Sequence, residues 1–217
     1  DGKSVSLDHP LAIRHYGYLP ELVKKNNKSE RNLRIAQRLV ADEPQNGFYL
    51  FNLGMEFLRL NQIEAAINPL IDGYRLGKPS TQCTANSLNH ALQALRLAAR
   101  WPEWRDLWEE GVRQFPDYVD LWHEKALGEL VMGHVAPCKN AVENCLALGE
   151  SPGEYISDGG VGTWKAWGLL GELYLTVGDT MAAFNAFKTA VLLNPRSAYL
   201  RLLTRTALQL FGVRRTI

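Results

Sequence analysis

The stretch WKAWGLLGELYLTVGDTMAAFNAFKTAVLLNP, residues 164–195, decides the fold. Trp167, Leu170 and Tyr174 recur at helical spacing and make one apolar stripe, while Phe187 and Ala190 make a second. Between the stripes, Gly178-Asp179 supplies a turn, and Pro195 halts the second run because proline cannot continue a helix. Gly171 and Ala183 are small in otherwise bulky runs. That combination predicts two antiparallel helices crossing closely enough to exclude a larger side chain at the crossing.

The pattern W-x2-L-G-x2-Y followed by Gly178, Ala183, Phe187, Ala190 and Pro195 resembles a tetratricopeptide repeat, whose register is about 34 residues. Further copies precede it. One starts at Gly47 with Leu50, Leu53, Gly54, Phe57, Asn61 at the turn, then Ala66, Leu70, Gly73 and a late Pro79. A divergent one starts at Ala85 with Leu88, Ala91, Leu95, Trp104, Trp108, Gly111 and Pro116. There the bulky Trp104 occupies a usually small position, so its helix pair is expected to splay or shift. Another starts near Val119 with Trp122, Ala126, Cys138, Val142 and Cys145, its turn placing Pro137 where a starting helix tolerates it. The expected fold is all-α: a right-handed superhelical solenoid of antiparallel helix pairs, with repeats at about 47–80, 85–118, 119–146 and 164–197. Helices at 29–41 and 197–211 are expected to cap its open ends.

Composition agrees with that class and excludes others. Of 217 residues 33 are Leu and 21 are Ala, a helix-favouring bias, and 46% are hydrophobic, too many for a disordered chain. Lys plus Arg (24) nearly balance Asp plus Glu (23), so bulk charge gives no reason to seek nucleic acid. No apolar run approaches the ~20 residues that span a bilayer. Cys83, Cys138 and Cys145 are odd in number and lack CxxC spacing, which argues against a disulfide framework and a zinc site and leaves a cytoplasmic location as the default expectation. Asp1-Gly2-Lys3-Ser4 has no initiator Met, basic region or apolar region, and reads as a cut or processed end rather than a signal peptide.

Two stretches stand outside the repeats. Roughly a dozen extra residues separate Cys145 from Trp164, and insertions in solenoids map to loops on one face. Gly159-Gly160-Val161-Gly162-Thr163 within this insert lacks phosphate-loop spacing, leaving an ordinary glycine-rich turn or a ligand-contacting loop. Residues 1–20 show no helix period and read as an extended segment, the tail of a preceding domain, with the repeat unit over 21–217.

Ile13-Arg14-His15-Tyr16-Gly17-Tyr18, followed by Lys24–Asn32 and Phe51-Asn52-Leu53-Gly54, is similar to the junction in bacterial family 2 glycosyltransferases. There a nucleotide-sugar transferase domain precedes tetratricopeptide repeats. The resemblance implies that His15 matches a histidine near the metal and sugar-nucleotide diphosphate of such a domain, so a longer parent would use a divalent metal and a nucleotide-sugar. The chain itself has no D-x-D motif and no strand-helix alternation, so no cofactor and no catalytic residue is expected within it.

No other constellation points to chemistry. His9, His15, His90, His123 and His134 form no metal-ligand spacing, and no serine or cysteine sits in a nucleophile motif. Cys138 and Cys145 share a packing face, and Trp101, Trp104 and Trp108 form a buried stripe in preference to a stacking platform. The candidate site is therefore the concave groove lined by the first helix of each pair. Its positions carry Phe51, Asn52 and Met55, then Asn86, Asn89, His90 and Gln93, then His123 and Lys165, with Phe48, Asp120, Glu124 and Glu172 alongside. Asn and Gln suit peptide-backbone recognition because one amide both donates and accepts. Phe51 and Met55, read as exposed, stand where a carboxylate clamp would need Lys and Asn, so the expected partner is an extended segment or a protein face. Three readings follow: an acceptor-recruiting repeat domain of a glycosyltransferase, a free-standing adaptor, or polar residues that merely keep the surface wet.

Overall fold

Turn chemistry sets the helix ends. The Asn46 side chain accepts from the backbone N–H groups of Phe48 (3.1 Å) and Tyr49 (3.3 Å), capping one helix start, and Asp179 accepts from Ala182 N–H at 2.9 Å to cap another. The computed structural model describes residues 28–78 and 82–211, and every regular element among them is helical. In chain order these are α1 Lys28–Asp42, α2 Gly47–Arg59, α3 Ile63–Arg75, α4 Gln82–Leu97, α5 Trp101–Gln114, α6 Val119–Val131, α7 Val135–Leu148, α8 Trp164–Thr176, α9 Thr180–Leu193 and α10 Tyr199–Phe211. Residues 1–27, which carry the extended segment and His15, lie outside the described residues.

The helices pair as α2–α3, α4–α5, α6–α7 and α8–α9, stacked as a right-handed solenoid between α1 and α10. At the same point of each pair, between its two helices, the backbone turns through positive φ: Asn61 (57°), Ala99 (55°), Gly133 (76°) and Gly178 (80°). Three of these residues suit the left-handed region, and Ala99 is the strained one.

Close crossings sit where the small residues predicted them. A Cβ on Gly171 would lie 2.5 Å from the Phe187 ring, and one on Gly54 would lie 2.4 Å from Leu70. The α4–α5 pair is looser than the other three, as Trp104 demands, and α4 packs instead on α3. Trp104 is 0% exposed and reaches past its own pair to α6, where its ring lies against Gly128; a Cβ there would come within 2.3 Å. Trp108 is buried beside it, its indole N–H donating to Leu121 C=O at 2.8 Å, while Lys125 Nζ lies 4.1 Å from its ring centroid. Trp104 and Trp108 are thus core and bridge the second and third pairs, while Trp101, read as part of the same stripe, is half-buried.

Two apolar clusters result, one from α2 to the start of α6 and one over α6–α9. Cys138 and Cys145 are wholly buried in the second, where burial pushes their thiols up to about 11 and about 12 and keeps them protonated.

Candidate functional site

The first helices of successive pairs touch one another, α2 to α4, α4 to α6 and α6 to α8, and so form the inner wall of the solenoid. The structure divides the residues read from sequence into three groups.

The first group went into the core. Phe51 is 9% exposed and belongs to the first apolar cluster, which corrects its reading as an exposed groove residue. The reason is the tight approach of α2 to α3, where a Cβ on Gly73 would lie 3.0 Å from Phe51 N. Asn86 and Asn89 are buried too, and Asn89 Oδ1 has no hydrogen-bond partner.

The second group remains at the wall surface of α2 and α4. Phe48 is 52% exposed, while Asn52, Met55, His90 and Gln93 are half-buried. His90 Nδ1 and Gln93 Oε1 are 3.1 Å apart, and the His90 ring centroid lies 6.3 Å from that of Phe51. Burial holds the His90 imidazole below its usual value, so it is neutral at pH 7.

The third group, on α6 and α8, is engaged within the chain. Glu124, 2% exposed, accepts two hydrogen bonds from Arg96 of α4 at 2.5 and 3.3 Å. Burial pushes its carboxyl up, against the pull of that guanidinium. Lys165 pairs with Asp158 at 2.5 Å and lies 5.3 Å from the Trp164 ring centroid. His123 is packed among these groups; burial, aided by Lys165 and Arg96 and opposed by Asp158, pushes it down to about 4.

Sequence reading missed what the insert does. It is no idle turn: its Tyr155–Asp158 segment is fastened to the start of α6. The Tyr155 ring stacks on Tyr118 (4.7 Å, 18°) and its hydroxyl donates to Asp117 Oδ1 at 2.7 Å. Tyr118 OH donates to Ile156 C=O at 2.8 Å. Asp120, 4% exposed, accepts from Ser157 Oγ (2.5 Å), the Asp158 N–H (2.9 Å) and Ser151 Oγ (3.3 Å). Burial raises the Asp120 carboxyl, while these donors pull it back. The glycine run itself forms turns, with Gly160 at φ 90° and its N–H donating to Glu150. The only sequence signal for this docking was the length of the insert.

Among the described residues no cluster of His, Cys, Asp and Glu is arranged to hold a metal ion, and no helix is long and apolar enough to cross a membrane. A cleft of about 360 Å³ lies where α2 begins, α3 ends and α4 begins, lined by Asn46, Phe48, Gly73, Leu76, Cys83 and Thr84.

Neither models of known protein families nor the sequences of curated proteins match the chain. Solved structures do. A thermophilic tetratricopeptide protein of Thermus thermophilus, TTC0263, aligns with 20% identity over 87% of this chain and 94% of that one, at a TM-score of 0.61. MamA aligns with 17% identity over 83% of this chain and 95% of that one, also at 0.61. YrrB, a tetratricopeptide protein with an unusual peptide-binding site, aligns with 11% identity over 85% and 88%, at 0.59. At these identities the likeness speaks for architecture alone, and with the helix pairs, close crossings and shared inner wall it shows that the chain has the tetratricopeptide-repeat fold.

Proposed function

We propose that this chain is a protein-interaction module whose inner wall between α2 and α4 takes an extended segment of a partner protein. One observation carries the reading: Glu124 of α6 and Lys165 of α8 are paired within the chain and Asn86 and Asn89 of α4 are buried, whereas Asn52 of α2 and Gln93 of α4 stay at the surface. Asn52 makes no side-chain hydrogen bond among the described residues, and Met55 and exposed Phe48 flank it. The charged groups nearby are paired, Arg59 with Glu56 and Arg96 with Glu124. A charge-balanced wall carrying the Asn52 and Gln93 amides with apolar flanks suits a polypeptide backbone carrying apolar side chains better than an acidic tail.

A finer reading adds the parent. The resemblance at Ile13–Tyr18 supports a repeat domain that holds an acceptor protein near a glycosyltransferase domain, raising the local acceptor concentration. A free-standing adaptor is the second reading, consistent with the shared fold of TTC0263 and MamA. A coding sequence upstream of Asp1 with strand-helix alternation and a D-x-D motif would select the first.

The test places a photo-crosslinking amino acid at Asn52 or, as an outer-face control, at Lys139 of α7. A partner captured from Asn52 and not from Lys139 supports the reading. With that purified partner, Asn52→Ala combined with Gln93→Ala removes two amide–backbone bonds of ~0.5–1.5 kcal/mol each, a loss of roughly 5- to 150-fold in affinity. Unchanged affinity, with helicity intact, would remove the groove from consideration.

A further inference from the structure

The contacts of the insert describe more than a loop at rest. Four consecutive residues, Tyr155-Ile156-Ser157-Asp158, are held by three at the start of α6: Tyr118 stacks on the Tyr155 ring and bonds the Ile156 carbonyl, Asp117 accepts from the Tyr155 phenol, and Asp120 accepts from the Ser157 hydroxyl and the Asp158 N–H. This is how a binding site reads a short peptide, main-chain groups giving affinity and side chains giving specificity. The segment does not exhaust the site. The Asn89 side chain of α4 lies beside the Tyr118 hydroxyl, and its Oδ1, with the residue only 7% exposed, is left without a donor. An orphaned buried acceptor costs free energy that a better-matched ligand recovers.

The insert is anchored at its base. Its two ends meet: a Cβ on Gly162 would lie 1.6 Å from Gly149 O, so the loop departs from and returns to one place. Val161, 2% exposed, anchors that base in the α6–α9 core. Releasing Tyr155–Asp158 therefore does not require α7 and α8 to move. Pro152, Gly153 and Glu154 in the arm are exposed.

We propose that Asp117, Tyr118, Asp120 and Asn89 form a second peptide-binding site, distinct from the α2–α4 wall, which recognises a Tyr-x-Ser-x segment. The chain's own Tyr155–Asp158 fills it as a displaceable ligand. A partner protein presenting that segment with one more N–H donor, aimed at Asn89, exchanges with it.

The experiment uses a fluorescein-labelled synthetic peptide of residues 149–160 and the full chain. Tyr155→Ala with Ser157→Ala keeps the loop length and empties the site. The peptide should bind this variant at least about tenfold more tightly than wild type, where the tethered segment competes at high effective concentration. Adding Asp120→Asn to the emptied variant should cost about tenfold or more, because a charge-assisted acceptor is lost. Equal binding to wild type and emptied variant, or indifference to Asp120→Asn, overturns the proposal. Should the emptied variant not fold, hydrogen exchange in wild type and Asp120→Asn decides. The Asp158 amide should lose protection while α6, α7 and α8 keep theirs; loss across all three would make the loop structural and the proposal wrong. None of these readouts involves Asn52 or Gln93, so either site can fail alone.

Discussion

Replacing Gly171 with leucine tests the packing logic of the whole solenoid. A Cβ at this position would sit 2.5 Å from Phe187 Cε1 and 2.6 Å from Cδ1, about 1 Å short of ordinary contact. The ring has little room to retreat, because Phe187 is fully buried and stacks on Tyr199 of α10 at 6.0 Å. Alanine alone sets a helix-propensity gain of ~1 kcal/mol against overpacking of ~1–3 kcal/mol, for a net loss of ~0–2 kcal/mol. Leucine adds three more carbons to the same crossing, so about 2–4 kcal/mol of destabilisation is expected. Because α9 packs on both α8 and α10, the loss should fall on those three helices and fade upstream, where α7 meets α8 loosely. Hydrogen exchange with mass spectrometry reads this directly. Amides of α8–α10 should exchange about 30- to 700-fold faster, while those of α2–α4 stay as in wild type. Unchanged exchange in α8–α10, or acceleration spread evenly from α1 to α10, would refute both the crossing and the nearest-neighbour coupling.

Two further outcomes follow from single residues. His123, held down at about 4 against an ordinary 6.5, binds its proton more weakly folded than unfolded, so its neutral form contributes stability present above pH 6.5 and lost as pH falls toward 4. Between pH 7 and pH 4.5 that is about 2–3 kcal/mol, and urea unfolding of His123→Gln should show a correspondingly flatter pH dependence; an identical profile would contradict it. Ala99→Gly should stabilise the chain by about 0.5–1 kcal/mol, because it removes the side chain from a φ of 55° at a position where two other repeats carry glycine. A lower midpoint in the same urea titration would show that the Ala99 side chain earns its place by packing.

The helix pairs were legible in the linear chain because everything that makes them is local. A stripe repeats every three to four residues, a turn residue interrupts it, and small residues mark the crossing. Gly171 facing Phe187 and the positive φ at Gly178 belong to that class. The tertiary structure alone decided which inner-wall positions stay at the surface. Helical register places Phe51, Asn52, Asn86, Asn89 and His90 all toward one face, but the closeness of α2 to α3 and of α3 to α4 determines that Phe51, Asn86 and Asn89 are covered while Asn52 and His90 are not. The docking of the insert was still further from view. Its bonds join residues 31–38 positions apart, Ser151 to Asp120 and Tyr155 to Asp117 among them, and no periodicity in a loop announces where it will land. Local spacing encodes the repeating unit, whereas what its surface is free to bind depends on how neighbouring units close upon one another.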